Sequence, residues 1–147
     1  MACSAIRVSG AVPQIGDMRA YTEIVLDRER LEVYQLAREL NREVKKVVAP
    51  LPRGVSESID NLIRAAKSVQ RNIAEGAGKW RVPDKVRFYH IARASATECC
   101  ASLDELVDWG IISSEAVRHA KQIAARIVMM LIAMIRATEQ RGRDMAR

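Results

Sequence analysis

Apolar residues recur at steps of three and four along most of this chain, first at Leu31, Tyr34, Ala37, Leu40, Val44, Val47 and Val48, with charge between them. That spacing is what a helix with one buried stripe requires. Asp27 is the expected N-cap. Pro50 and Pro52 end the helix, because proline lacks the N–H that a helix interior needs. Gly54 helps the chain reverse into a second helix capped by Ser56 or Ser58, in which Ile59, Leu62, Ile63, Ala66, Val69 and Ile73 share one side at about 100° per residue. Gly76 and Gly78 are expected to end it through left-handed or loosely restrained backbone, and Pro83 with Asp84 to open the third helix. There the apolar positions are Val86, Tyr89, Ile91, Ala94, Cys99, Leu103, Leu106 and Val107, with Gly110 just past the end. Ser113 and Ser114 cap a fourth helix, and Glu115 sits at the positive end of its dipole.

Four helices of about 22 to 28 residues, matched in length and joined by short connections, predict an all-α, antiparallel up-down-up-down four-helix bundle. It is expected to cover residues 27–141, after a loosely held extension (1–26) and before a C-terminal tail (142–147). The stretch Ile127 to Ile135 is apolar at every position, so its residues point in every direction around the helix. One stripe can face only one core. Val128, Met129 and Ile132 lie outside the arc of Ile123, Ile127, Met130 and Met134, which predicts a second buried contact. A homo-oligomer interface is the simplest such contact; cover by residues 1–26 is the alternative. The apolar run is too short to span a bilayer, so no membrane association is expected.

At 147 residues the chain is one domain's worth, and its single Phe disfavours an aromatic-rich β architecture. The three cysteines, Cys3, Cys99 and Cys100, are odd in number with one adjacent pair, which suits a reducing compartment. No basic segment followed by a long apolar run opens the sequence, so a cytoplasmic location is expected.

Charge changes this picture most. The formal net charge is +6, and all of it resides between residues 64 and 93, where Arg64, Lys67, Arg71, Lys79, Arg81, Lys85, Arg87 and Arg93 face only Glu75 and Asp84. Arg64, Lys67 and Arg71 at i, i+3 and i+7 fall about 120° from the apolar stripe and form a row comparable in step to phosphates along a strand. Arg38, Arg42 and Lys46 form a second row in the first helix. A polyanionic partner, RNA or DNA, is the expectation, through phosphate and shape rather than base sequence. Trp80 and Tyr89 offer rings for base stacking, although a lone Trp in a turn more often covers the end of a core. Glu75 and Glu98, beside apolar positions, are candidate partly buried partners of Arg64 or Arg71.

Catalysis finds little support. The two histidines, His90 and His119, lie in no metal-binding spacing, so a di-iron bundle fails on ligand count. Cys99 and Cys100 point about 100° apart and cannot share one tetrahedral metal. Gly76-Ala77-Gly78-Lys79 follows a helix and lacks the spacing of a phosphate loop. No cofactor, metal or enzymatic activity is expected.

Leu31-Glu32-Val33-Tyr34-Gln35-Leu36-Ala37, Arg64-Ala65-Ala66 with Ser68-Val69, Asn72-Ile73-Ala74-Glu75-Gly76, and Arg87-Phe88 with Ile91-Ala92 and Ser95 to Glu98 resemble one family. It comprises the four-helix bundle proteins encoded in intervening sequences of bacterial large-subunit ribosomal RNA genes. The resemblance spans about residues 27–136, with Gln70 where a proline is common and a divergent turn from Lys79 to Asp84. It implies an antiparallel bundle assembled as a ring, typically a homopentamer, without catalytic activity. It also implies kinship with the accessory variability determinant of diversity-generating retroelements, a basic bundle ring that binds a reverse transcriptase and nucleic acid. A protein-interaction scaffold without direct nucleic-acid contact is the alternative function.

Overall fold

The computed structural model describes residues 31–52 and 56–146, which form four helices and, among these residues, no strand. They are α1 (Glu32–Val48), α2 (Ser56–Ala77), α3 (Val82–Asp108) and α4 (Ser114–Met145). Each helix packs closely on two others, α1 on α2 and α4, and α3 on α2 and α4, with the diagonal pairs standing farther apart. That closed square of neighbours encloses one core and makes the chain a four-helix bundle.

The helices lengthen along the chain, at 17, 22, 27 and 32 residues, so the expected match in length does not hold. Leu31, in extended backbone, is the N-cap residue of α1, while Asp27 and the extension 1–26 lie outside the described residues. At the other end α4 continues to Met145, so most of the segment expected as a tail is helical. Gly142 is inside that helix, its Cα facing Val82.

Apolar periodicity placed most of the core correctly. Ala37, Leu40, Val44 and Val47 of α1 and Leu62, Ala66, Val69 and Ile73 of α2 are buried, joined by Val33, Leu36 and Ala65. In α3 the buried set is Tyr89, Ala92, Ala96, Cys99, Leu103 and Leu106, a regular alternation of three and four steps. Ile91 and Ala94 are exposed instead: two residues past a buried position is about 200° around a helix, which points outward. In α4, Ile127, Leu131 and Ile135 carry the inward stripe, and Met130 and Met134 sit half-buried at its edge.

Small side chains bring α2 and α3 together. Ser68 Oγ of α2 meets Ser95 Oγ of α3 at 2.8 Å, and Ala65, Ala66, Ala92 and Ala96 are buried on these two helices. Polar groups stitch α1 to α2: Asn41 Nδ2 donates to Ala37 O (2.9 Å), Ala66 O (3.1 Å) and Gln70 Oε1 (3.1 Å), while Gln70 Nε2 donates to the Tyr34 hydroxyl at 3.3 Å. Among the described residues no buried side-chain polar atom lacks a partner, as a well-packed interior demands.

Two helix ends set the turn between α3 and α4. Gly110, at φ +67°, is the C′ residue of α3, donating its N–H to Val107 O (2.9 Å) while Ile111 N–H reaches Leu106 O (3.0 Å). This is a Schellman closure, and it satisfies carbonyls that the helix end would otherwise orphan. Ser113 then caps α4, its Oγ accepting from the Ala116 amide at 3.3 Å. α2 does end between Gly76 and Gly78, at Ala77, but neither glycine has positive φ, so the end is not made by left-handed backbone. Gly76 lies within α2, and its lack of a side chain makes room for the Tyr89 ring. No helix among the described residues is long and apolar enough to cross a membrane.

Candidate nucleic-acid interface

Turning Leu62, Ala66, Val69 and Ile73 inward necessarily turns Arg64, Lys67 and Arg71 to the outside of α2, and all three are exposed. Arg64 donates a hydrogen bond to Asn61 Oδ1 on the same helix. Among the described residues none of the three is in an ion pair with a carboxylate. Lys67 sits at a groove between α1 and α2 lined by Asn41, Val44, Lys45, Val48 and Ile63. Lys45 thus joins the ridge from the neighbouring helix, a residue the sequence reading missed. Its only signal was a place between the two apolar residues Val44 and Val47, at the edge of the α1 stripe.

The second expected row is partly spent within α1. Lys46 pairs with Glu43, and Arg38 donates to Gln35 Oε1 at 3.2 Å.

The other five predicted cations diverge. Lys79 Nζ is held by Glu75 at 2.6 Å and lies 5.0 Å from the centre of the Phe88 ring. Glu75 is therefore the partner of Lys79 rather than of Arg64 or Arg71, and Glu98 is exposed. Arg81 is exposed in the turn before α3. Lys85 faces a cleft with Glu32, Tyr89, Thr138 and Arg141, whereas Arg87 borders a shallower groove with His90, Glu139 and Arg143. Arg93 is half-buried, and its carbonyl accepts from the Thr97 hydroxyl at 3.2 Å. The eight residues thus form an α2 ridge and separate smaller groups, not one patch.

Of the two rings offered for stacking, only Trp80 is open to a base, and it is not the core cover that a lone Trp in a turn more often is. Trp80 is 98% exposed and covers nothing, while Tyr89 is buried against Gly76 and cannot stack on a base. Burial pushes the Tyr89 hydroxyl pKa above its ordinary value, with the nearby Arg141 pulling weakly the other way. Burial likewise pushes the Cys99 thiol up to about 12, helped by Cys100 and Glu98, and Cys100 is raised by burial against the pull of Lys121. Both cysteines are free thiols of the unreactive kind. Lys121 is raised by its hydrogen bond to Asp104.

On α4, Met129 is 67% exposed and Val128 and Ile132 are half-buried. Among the described residues no group of three or more His, Cys, Asp and Glu side chains is placed to hold a metal ion. His119 Nε2 lies 3.6 Å from Glu39 Oε1 across the α1–α4 contact.

Fold and surface together define a four-helix bundle protein with a cationic outer ridge. Residues 29–133 match the family described as 23S rRNA-intervening sequence protein, and the chain belongs to that family. Among solved structures, it is similar to a protein of unknown function from the S23 ribosomal protein family of Bacteroides thetaiotaomicron. The two share 20% identity with a TM-score of 0.65, over 70% of this chain and 97% of that one. Comparison with curated proteins gives no match.

Proposed function

We propose that this protein is a non-enzymatic, homo-oligomeric bundle that binds RNA or DNA through its basic surface, as an accessory to a nucleic-acid-processing enzyme. The observation that carries this reading is the α2 ridge. Arg64, Lys67 and Arg71 stay in water and, among the described residues, in no ion pair, with Lys45 alongside. Elsewhere Glu43, Glu75, Asp104 and Glu115 are each engaged by a cation of their own surroundings. Unscreened cations in a row gain most from phosphate, whose bound counterions they release.

Cross-helix pairs support an antiparallel up-down-up-down order. Ser68 meets Ser95 while the later Gly76 meets the earlier Tyr89, and Asp104 meets Lys121 while Val82 meets Gly142. Exposed Met129, set in the apolar stretch of α4, supports self-assembly through that face, with Val128 and Ile132 at its margin. A ring, as in a homopentamer, would repeat the ridge and multiply weak single contacts.

The test is affinity for single- and double-stranded oligonucleotides from 50 to 200 mM salt. Binding should fall steeply with salt, and R64E/R71E should weaken it while light scattering reports an unchanged mass. Salt-insensitive binding, or none, would refute the reading. A protein-interaction scaffold is the second reading, favoured by Trp109, which is 77% exposed beside Glu105 and Asp108. A protein partner that stays bound after nuclease treatment would favour it.

A further inference from the structure

We propose that Trp80, with Arg81 beside it, is a stacking platform for an unpaired base, so that the nucleic acid taken by this protein is single-stranded. The inference rests on the nucleic-acid reading above and names its substrate class. Trp80 is more exposed than any other large apolar side chain among the described residues. It stands in the link between Ala77 and Val82, flanked by Lys79 and Arg81.

The backbone on either side of it is fixed. Gly78 N–H donates to Ala74 O (3.1 Å) and Lys79 N–H to Gly76 O (3.2 Å), while the Arg81 carbonyl accepts from Lys85 N–H (3.0 Å). Lys79 is clamped by Glu75 and lies over Phe88, and Gly76 seats against Tyr89. A free indole on a held link is preorganised for a ligand, because little backbone entropy remains to be lost on binding. Leaving that ring in water also forgoes the stabilisation that burying a large apolar side chain ordinarily contributes.

Surroundings select the ligand. With Glu75 already engaged by Lys79, the charges nearest in sequence are Arg81, Lys85 and Arg87 against Asp84. The α3 N-terminus follows at once without a side-chain cap, adding partial positive charge. An isolated aromatic face among cations suits a base with its phosphate; an apolar protein surface would call for a wider hydrophobic patch than Gly78, Lys79 and Arg81 provide. Duplex bases are already stacked on one another and have no face to offer. Trp109, at the opposite end of α3, sits by Glu105 and Asp108, where phosphate is repelled, and so serves as the internal comparison.

The experiment uses the full chain carrying W109F, which leaves Trp80 as the one indole, titrated with oligo-dT, oligo-rU and a duplex of equal length. Single strands should quench Trp80 fluorescence, and W80A should weaken their binding about 5- to 100-fold without changing duplex affinity. W80F should retain part of the affinity. Unquenched Trp80 with W80A binding as tightly as the parent overturns the stacking inference while leaving nucleic-acid binding standing. Absence of binding by any of the three ligands defeats both readings. A change of assembly mass in W80A would assign the indole to a subunit contact and also overturn it.

Discussion

Gly76 and Tyr89 are matched across the α2–α3 contact: a Cβ placed on Gly76 would lie 2.6 Å from Tyr89 Cε1 and 3.2 Å from Lys85 O. Neither neighbour can yield cheaply, since the ring is buried and the carbonyl belongs to a helix. Alanine is the better helix former by about 1 kcal/mol, yet overpacking typically costs about 1–3 kcal/mol. Gly76→Ala should therefore be a net destabilisation of up to about 2 kcal/mol in urea unfolding. In a Tyr89→Leu background the same change should become neutral or favourable, which identifies the ring as the cause.

Gly110 makes the opposite case. Nothing lies within 4 Å of a Cβ built there, but its φ of +67° is one that side chains resist. Gly110→Ala should cost about 1 kcal/mol through backbone strain alone, and Gly110→Asn less, since asparagine tolerates that region better. Comparing the two by thermal unfolding separates conformation from space.

Asn41, Gln70 and Tyr34 form a polar bridge between α1 and α2. Asn41→Leu should cost about 1–3 kcal/mol, because it strands Gln70 Oε1 in a half-buried setting and removes the cross-helix bond to Ala66 O. A double-mutant cycle with Gln70→Leu should show coupling, the second loss being smaller than the first.

Cys99 makes stability fall at alkaline pH. Its folded pKa, about 12, is raised above the ordinary 9.0, so the folded state holds the thiol proton more tightly than the unfolded chain does. The resulting stabilisation is whole below pH 9 and lost as pH rises toward 12. Tyr89 adds a loss of the same sign starting near its ordinary 10.0. Melting temperatures from pH 7 to 11 should drop less in Cys99→Ala than in the parent. In the native state at neutral pH, a thiol reagent should label Cys100 slowly and Cys99 only on unfolding.

Met129 tests the self-assembly reading. Met129→Glu places a charge on an exposed apolar site, so folding should change by less than about 0.5 kcal/mol. Light scattering should nonetheless report a smaller particle than the parent. A monomeric parent would remove the basis for that proposal.

Much of the fold was legible because burial repeats along a helix: Leu40, Val69, Leu103 and Ile127 are all core and all read from spacing. Cross-helix relations were not. Gly76 looked like a terminator because glycine ends helices, whereas its reason is a ring arriving from α3. Lys45 and Arg141 join Lys67 and Lys85 only through packing, which no one-dimensional pattern encodes. Ile91 and Ala94 were misplaced by a phase error, since α3 carries apolar residues on more than one side.

The cations' division among several directions also bears on measurement. A strand lying along α2 meets Lys45, Arg64, Lys67 and Arg71, while Lys85 and Arg87 border other grooves and Lys79 is already spent on Glu75. For single strands the slope of log affinity against log salt is about −0.7 per phosphate neutralised, so one subunit should contribute roughly −2 to −3. A steeper plot would count the subunits engaged by one oligonucleotide, turning an equilibrium titration into a measure of stoichiometry.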